Sequence, residues 1–156
     1  MDFSFENLLK QEQQLVLPEF NSEIAYKIGM AIIERAKEEG KIIAVSVTAG
    51  RQIIFHYAMD GLSPDSDNWI RRKSNIVYEY HKSSMFLGVK FERDGSTLEA
   101  HGRDPRDFKT NGGSFPIRVK GAPNVIGAIT VTGLPDRDDH EYVVTALAKH
   151  LSVEIK

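Results

Sequence analysis

Two pairs of apolar segments, each pair joined by a tight turn, restrict the folds available to this chain. The first pair covers 41–49 and 51–59 and turns at Gly50, and the second covers 115–121 and 124–133. Apolar, β-branched segments joined in this way are typical of β-hairpins, whose strands run antiparallel. A parallel nucleotide-binding sheet needs long crossover connections between its strands, and this order of segments offers none. We therefore predict an antiparallel sheet.

Helical patterns lie before, between and after the hairpins. Apolar residues recur at helical spacing in five segments, 3–16, 22–39, 68–81, 83–93 and 136–153, of which 83–93 would also fit a strand. Asn21 or Ser22 is placed to cap the second helix, and Gly40 to close it. Helices grouped around hairpins predict an α+β domain of two layers, in which helices cover the sheet. At 156 residues, the chain is expected to form one domain.

The composition excludes several classes of protein. The formal net charge is −2, which gives no general attraction to nucleic acid or to an anionic membrane. Cysteine is absent, which excludes disulfides, thiolate metal sites and a cysteine nucleophile. The first residues, MDFSFENLLKQEQQ, carry acids where a signal peptide needs a basic region, and no segment approaches the roughly 20 apolar residues of a membrane span. We therefore expect a cytoplasmic protein that binds neither nucleic acid nor membrane.

A cluster of acids surrounds His140 in the stretch GLPDRDDHEY, at 133–142. The start of a helix explains the acids, because negative charge there is favoured by about 0.3–1 kcal/mol per residue. In this interpretation Asp136 is the N-cap and Asp139 pairs with it from the first turn. His140 falls on the apolar stripe of the helix, so it is either a hydrogen-bonded core residue or part of a site at the strand–helix junction. No second histidine four residues away supports a metal site.

A second polar cluster is the loop GRDPRDFKTNGGSFPI, at 102–117. Basic residues, Arg106 among them, precede Gly112 and Gly113, and glycines allow backbone N–H groups to approach an anion closely. No phosphate-loop motif is present, so the alternative is a glycine turn that leads into the next strand. Long ordered loops often carry function, which keeps a ligand-binding role open.

Lys73 lies among apolar residues of the predicted helix 68–81. A lysine in such a place usually extends its ammonium group along the apolar surface to solvent. The alternative is a cation directed at an anionic ligand, such as a carboxylate, a phosphate or a haem propionate. Five scattered histidines could ligate a haem iron, and their spacing does not select among them: His56, His81, His101, His140 and His150.

Three stretches, WIRRKSNIVYEYHKSS, TNGGSFPIRVKG and NVIGAITVTGLPDRDDHEYVV, resemble the GlcG/HbpS-like family of haem-degrading domains, and within it the UPF0303 branch. The resemblance extends from about Leu8 to Leu151. It implies a profilin-like fold with about five antiparallel strands, the fifth being short and near Leu98–His101. It also implies a closed homo-oligomer of octamer or decamer size, and haem as a candidate cofactor. By position it marks a site that includes Lys73, Gly112, Gly113, Phe115 and His140.

Two main hypotheses follow. The first is a small-molecule-binding protein whose ligand is haem or another tetrapyrrole, with His140 or His81 on the iron and Lys73 and Arg106 at the propionates. The second is a non-enzymatic module that works through homo-oligomeric assembly, using its N-terminal helix and an exposed sheet edge. A metal-dependent hydrolase built on the acids beside His140 is a third hypothesis. Whether the protein is an enzyme stays open.

Overall fold

The computed structural model describes all residues from Met1 to Lys156. The helices are α1 (Phe5–Gln14), α2 (Ser22–Glu38), α3 (Asp65–Tyr80), α4 (Ser84–Asp94) and α5 (Asp136–Leu151). The strands are β1 (Val16–Leu17), β2 (Ala44–Ala49), β3 (Gln52–Ala58), β4 (Ser114–Val119) and β5 (Gly127–Thr132). All five predicted helices are present, and none of them has the length and apolar character needed to cross a membrane.

The strands form one five-stranded sheet in the order β1-β4-β5-β2-β3. Both predicted hairpins are confirmed, since β2 pairs with β3 and β4 with β5 in antiparallel register. The predicted fifth strand near Leu98–His101 is wrong, because Glu99–His101 form a 3-10 helix. The fifth strand is β1, which pairs with β4 in parallel, so the sheet is mixed. A strand of two residues shows no alternation, and the sequence pattern could not reveal it.

One face of the sheet carries the main apolar core. Val45 lies opposite Val131 and Val47 opposite Ile129, and all four side chains are fully buried. They pack against α2 and α5, whose apolar stripes belong to the same cluster. The side chain of Asn21 accepts a hydrogen bond from the N–H of Ile24 at 2.9 Å, which confirms the predicted cap of α2.

The opposite face of the sheet is lined with hydroxyl groups and is covered by α3. Ser46, Thr130 and Ser114 lie side by side across β2, β5 and β4, and all three are buried. The hydroxyls of Ser114 and Thr130 bond each other at 2.8 Å, and that of Thr48 bonds the phenol of Tyr78 on α3 at 2.6 Å. Helices therefore cover both faces, so the α+β fold has three layers rather than the two predicted. These hydrogen bonds let Ser114, Thr130 and Thr48 lie inside the protein.

A β-bulge changes the faces of β3. The register joins Phe55 to Val47 and Ile53 to Thr48, which leaves Ile54 as an extra residue between the two pairs. Simple alternation along the strand would place Ile53 and Phe55 on one face. The bulge instead places Ile53 on the hydroxyl-lined face, opposite to Phe55. One inserted residue shifts the alternation, so that side chains on its two sides along the strand exchange faces.

Polar side chains attach α1 to the rest of the fold. Glu12 interrupts the apolar face of this helix in sequence, and it is buried in the structure. Its carboxylate accepts from the N–H of Ser83 at 2.6 Å and from the guanidinium of Arg118 at 3.1 Å. Burial raises the pKa of Glu12, against the opposing effect of these two donors. Glu12, which interrupts the apolar stripe, therefore anchors α1 to Ser83 and Arg118.

Candidate functional site

Lys73 of α3 ends in the protein interior rather than in solvent. Its side chain is 2% exposed. The ammonium group donates to the backbone oxygens of Gly112 at 3.1 Å and Val131 at 2.6 Å, and it contacts the carboxylate of Asp139 at 3.2 Å. These three acceptors match the three N–H donors of a lysine ammonium. While these bonds are in place, Lys73 has no donor left for a ligand.

The glycines beside Lys73 allow close packing of backbone and side chain. A Cβ at Gly113 would lie 2.6 Å from the Lys73 ammonium nitrogen, and the φ of Gly113 is +129°, where other residues are strained. A Cβ at Gly112 would overlap the backbone oxygen of Asp136. The loop can therefore pass between α3 and the start of α5 only with glycine at both positions. In this conformation the role of the two glycines is to allow this close packing of the loop.

The start of α5 differs from the predicted cap. Pro135 is the N-cap and makes no side-chain bond, and Asp136 accepts from the side-chain amide of Asn111 at 2.8 Å. Asp139 instead reaches back to the N–H of Leu134 at 3.1 Å. The prediction of Asp136 as N-cap is therefore wrong. Pro135 holds that position, and the carboxylate that accepts from a backbone N–H just before the helix is that of Asp139. Burial raises the pKa of Asp139 to about 6, against the opposing effect of the neighbouring ammonium.

A polar cleft of about 360 Å³ opens beside the Lys73–Asp139 pair. It lies between the first turns of α3 and α5, and its other polar lining residues include Ser63, Asp65, Ser66, Trp69, Asn111 and Asp136. Three carboxylates face one ammonium group that is already paired. Because like charges repel an anion, this cleft does not offer the free cation that a propionate or phosphate requires.

His140 is buried at the contact between α5 and the N-terminal segment. Its Nε2 lies 2.8 Å from the side-chain oxygen of Gln11, and its Nδ1 has no hydrogen-bond partner. The rings of Phe3 and Phe115 meet the imidazole edge-on, with centroids at 5.9 and 6.0 Å. Burial lowers the pKa of His140 to about 3, so the ring is neutral at physiological pH. The core position expected from the helical stripe is confirmed.

The structure divides the predicted site residues into three groups. Lys73, Gly112 and Gly113 share the buried junction described above. Phe115 and His140 contact each other inside the protein. Arg106 lies apart at the surface, where its 88% exposed side chain pairs with Asp104. No group of three histidine, aspartate or glutamate side chains converges in the way that metal ligands do.

An open groove of about 480 Å³ lies between α3 and the hydroxyl-lined face of the sheet. We call it the α3 groove. Its floor and walls come from β2, β3, β5 and α3, with the lining Ser46, Thr48, Arg51, Ile53, His56, Asp67, Ile70, Arg71, Ser74, Asn75, Tyr78 and Thr130. The groove exists because α3 packs mainly over β4 and β5, which leaves the β3 side of this face open. Its volume falls within the roughly 300–1,000 Å³ of small-molecule sites.

The α3 groove brings an imidazole and two guanidinium groups together. The side chain of His56 is 35% exposed, and its Nε2 lies 3.5 Å from the carboxylate of Asp67. Arg51 is 63% exposed and lies over the ring of Tyr78 at 4.6 Å. Arg71 is 48% exposed. The spacing of the sequence could not assign His56 to a site, because the bulge and the sideways position of α3 create the groove.

Comparison with known proteins identifies relatives of this chain in sequence and in structure. Residues 20–148 match the family model described as haem degrading protein HbpS-like. A UPF0303 protein of Rhizobium etli is 43% identical over 155 residues, which is 99% of this chain and 94% of the relative. The crystal structure of the Ybr137w protein superposes with a TM-score of 0.89 at 23% identity, covering 96% of this chain and 90% of that one. The PduOC:haem complex superposes with a TM-score of 0.67 at 19% identity, covering 90% and 98%.

Proposed function

The chain belongs to the HbpS-like family of haem-degrading proteins, and from this membership we propose that it is a small-molecule-binding protein whose ligand is haem or a related tetrapyrrole. The observation that carries the proposal is the placement of His56, Arg51 and Arg71 around one open groove. The crystal structure of the PduOC:haem complex supports the ligand class, since the two chains share a fold. The same family membership supports a homo-oligomer.

A haem site requires an accessible axial ligand, apolar contact and cations for the two propionates. His140 does not meet the first requirement in this conformation, because Gln11 occupies its Nε2 and two phenylalanine rings enclose it. His56 meets it, since its ring lines an open groove. His56 of the α3 groove therefore meets the requirement for an axial ligand better than His140 does.

Each part of the groove has a distinct task in this proposal. His56 would hold the iron through a ring nitrogen, and Asp67, whose carboxylate lies 3.5 Å from Nε2, would orient the imidazole. Arg51 and Arg71 would exchange their surface partners, the carboxylates of Glu79 and Asp107, for the propionates, with which they would form charge-assisted hydrogen bonds. Ile53 and Ile70, which line the groove, would provide apolar contact with the macrocycle. A bound haem would itself supply the redox and oxygen chemistry of its iron.

Titration of the ligand-free protein with haemin tests the proposal. The wild-type protein should give a saturable shift of the Soret band at one haem per chain. His56→Ala should remove the shift or weaken binding by at least about tenfold, which corresponds to about 1.4 kcal/mol. The double variant Arg51→Ala with Arg71→Ala should raise the dissociation constant but keep the position of the Soret band, because the axial ligand remains.

His150→Ala is the matched control, since it removes an exposed imidazole at the end of α5. It should bind haemin as the wild-type protein does. A wild-type protein that shows no saturable shift contradicts haem as the ligand. A shift that survives in His56→Ala but is lost in His140→Gln would contradict the α3 groove and favour the buried histidine.

A further inference from the structure

One buried serine in the α3 groove has no hydrogen-bond partner in the protein. Ser46 is 3% exposed and lines the groove from β2. In the sheet it lies in register between Thr130 of β5 and His56 of β3. The hydroxyl of Thr130 bonds that of Ser114 at 2.8 Å, whereas the hydroxyl of Ser46 bonds no protein group. Buried polar groups are nearly always paired, so this hydroxyl requires an explanation.

The hydroxyl of Ser46 is open to the groove rather than sealed inside the protein. The side-chain atoms that are both fully enclosed and without a partner belong to Arg35 and His140. The oxygen of Ser46 is not among them, so it reaches the space that the groove encloses. Solvent can bond it there while the groove is open. A ligand that displaces this solvent must supply a hydrogen bond in its place, because a buried hydroxyl left unpaired is destabilising.

The groups around Ser46 determine which ligand atoms fit the floor of the groove. A serine hydroxyl both donates and accepts. Ser74, on the α3 side, donates its hydroxyl to the backbone oxygen of Arg71 at 3.1 Å, and its oxygen can still accept. Ser46, Ser74 and Thr130 are all uncharged, so a carboxylate placed among them would lose its hydration without gaining a cation. The group that fits the floor is therefore neutral, and it both donates and accepts.

The cations of the groove lie at its rim instead. The side chains of Arg51 and Arg71 are 63% and 48% exposed, and they pair with the surface carboxylates of Glu79 and Asp107. Charged groups of a ligand therefore belong at the rim, where exchange of these surface partners is possible. The groove thus separates a neutral hydrogen-bonding floor from a charged rim.

We propose that the α3 groove binds a linear tetrapyrrole and that Ser46 recognises one of its terminal lactam groups. This inference rests on the proposed function for the tetrapyrrole class, and it narrows that class. The edge of a closed tetrapyrrole such as haem carries hydrocarbon groups and charged propionates, neither of which matches the neutral floor. A linear tetrapyrrole ends in lactam rings, whose C=O accepts and whose N–H donates. One lactam would lie against Ser46, and the propionates would lie at the exposed guanidinium groups of the rim.

Titration of the ligand-free protein with biliverdin and with haemin tests this inference, because biliverdin has terminal lactams and haemin has none. The wild-type protein should bind biliverdin saturably, as followed by the circular dichroism that the site induces in its visible bands. Ser46→Ala should raise the dissociation constant for biliverdin at least about tenfold, since loss of a ligand hydrogen bond in an enclosed site weakens binding strongly. The dissociation constant for haemin should change less than about twofold, because haemin makes no bond to this hydroxyl.

The stability of the ligand-free variants separates a binding role of Ser46 from a structural one. Because the hydroxyl bonds no protein group, Ser46→Ala should leave the urea midpoint unchanged or raise it. Thr130→Ala breaks the bond to Ser114 and should lower the midpoint. Ser22→Ala is the matched binding control, since it removes an exposed hydroxyl at the start of α2, on the other face of the sheet. It should bind both ligands as the wild-type protein does.

Several results would overturn this inference. A wild-type protein that binds haemin but not biliverdin would exclude the linear ligand and leave the proposed function standing. Ser46→Ala that keeps wild-type affinity for biliverdin, or that loses affinity for both ligands equally, would show that the hydroxyl does not recognise a lactam. A Ser46→Ala variant less stable than wild type would assign the hydroxyl a structural role. Binding of biliverdin without haemin would instead contradict haem alone, and binding of neither would contradict both proposals.

Discussion

A Lys73→Met variant is expected to lose about 3–5 kcal/mol of unfolding free energy, because removal of one partner leaves the other as an uncompensated buried charge. Asp139 would then lie in the interior without the ammonium group that it contacts at 3.2 Å. Two backbone oxygens, those of Gly112 and Val131, would also lose their donor. Urea denaturation at constant pH measures the loss directly.

The loss should depend on pH in a defined direction. Without Lys73, burial and the nearby charge of Asp136 are opposed only by the hydrogen bond from the N–H of Leu134, so the pKa of Asp139 should rise further above the value of about 6. A carboxyl whose folded pKa is raised favours the folded state when protonated and loses that contribution as pH rises. The gap between wild-type and Lys73→Met stability should therefore be larger at pH 8 than at pH 5.

A double variant separates the ion pair from simple loss of packing. Lys73→Met with Asp139→Leu removes both charges, and a substantial part of the lost stability should return. Arg106→Ala is a control, because it breaks a surface pair with Asp104 and should not change the unfolding midpoint measurably. A single Lys73→Met variant with wild-type stability would contradict the structural role of the pair.

The sequence allowed the helices and hairpins to be predicted because their signals are local. Asn21 caps α2 through a bond to the N–H three residues away, and Gly50 turns the first hairpin with a positive φ. β1 was not predicted because a strand of two residues is too short to show an alternating pattern. The third layer was not predicted because the hydroxyls of β4 and β5 bond each other and that of Thr48 on β2 bonds Tyr78 of α3, which no single segment reveals.

The candidate site was less accessible to prediction because its partners are distant in the chain. Lys73 meets Asp139 across 66 residues, and His140 meets Gln11 across 129. The helical stripe places Lys73 and His140 toward the interior, but it does not identify their hydrogen-bond partners. The α3 groove depends on the bulge at Ile54, a single inserted residue with no distinct sequence signal.

His140 should make the protein less stable in acid. Its folded pKa is lowered to about 3, below the ordinary value of 6.5, because burial disfavours the charged ring. Between these two values the unfolded chain binds a proton that the folded chain does not. Stability from the neutral histidine is therefore fully present above about pH 6.5 and is lost progressively as pH falls toward 3. Asp139 has the opposite sign, so the overall profile alone does not isolate either residue.

Comparison with His140→Gln isolates the histidine contribution, since glutamine does not titrate. The stability advantage of wild type over His140→Gln should shrink by about 2–3 kcal/mol between pH 7.5 and pH 4.5, at about 1.36 kcal/mol per pH unit below the unfolded pKa. His150→Gln leaves His140 in place and should keep the wild-type pH dependence. Parallel curves for wild type and His140→Gln would mean that the ring takes up its proton in the folded state. A buried imidazole enclosed by Phe3 and Phe115 and bonded to Gln11 should not do so.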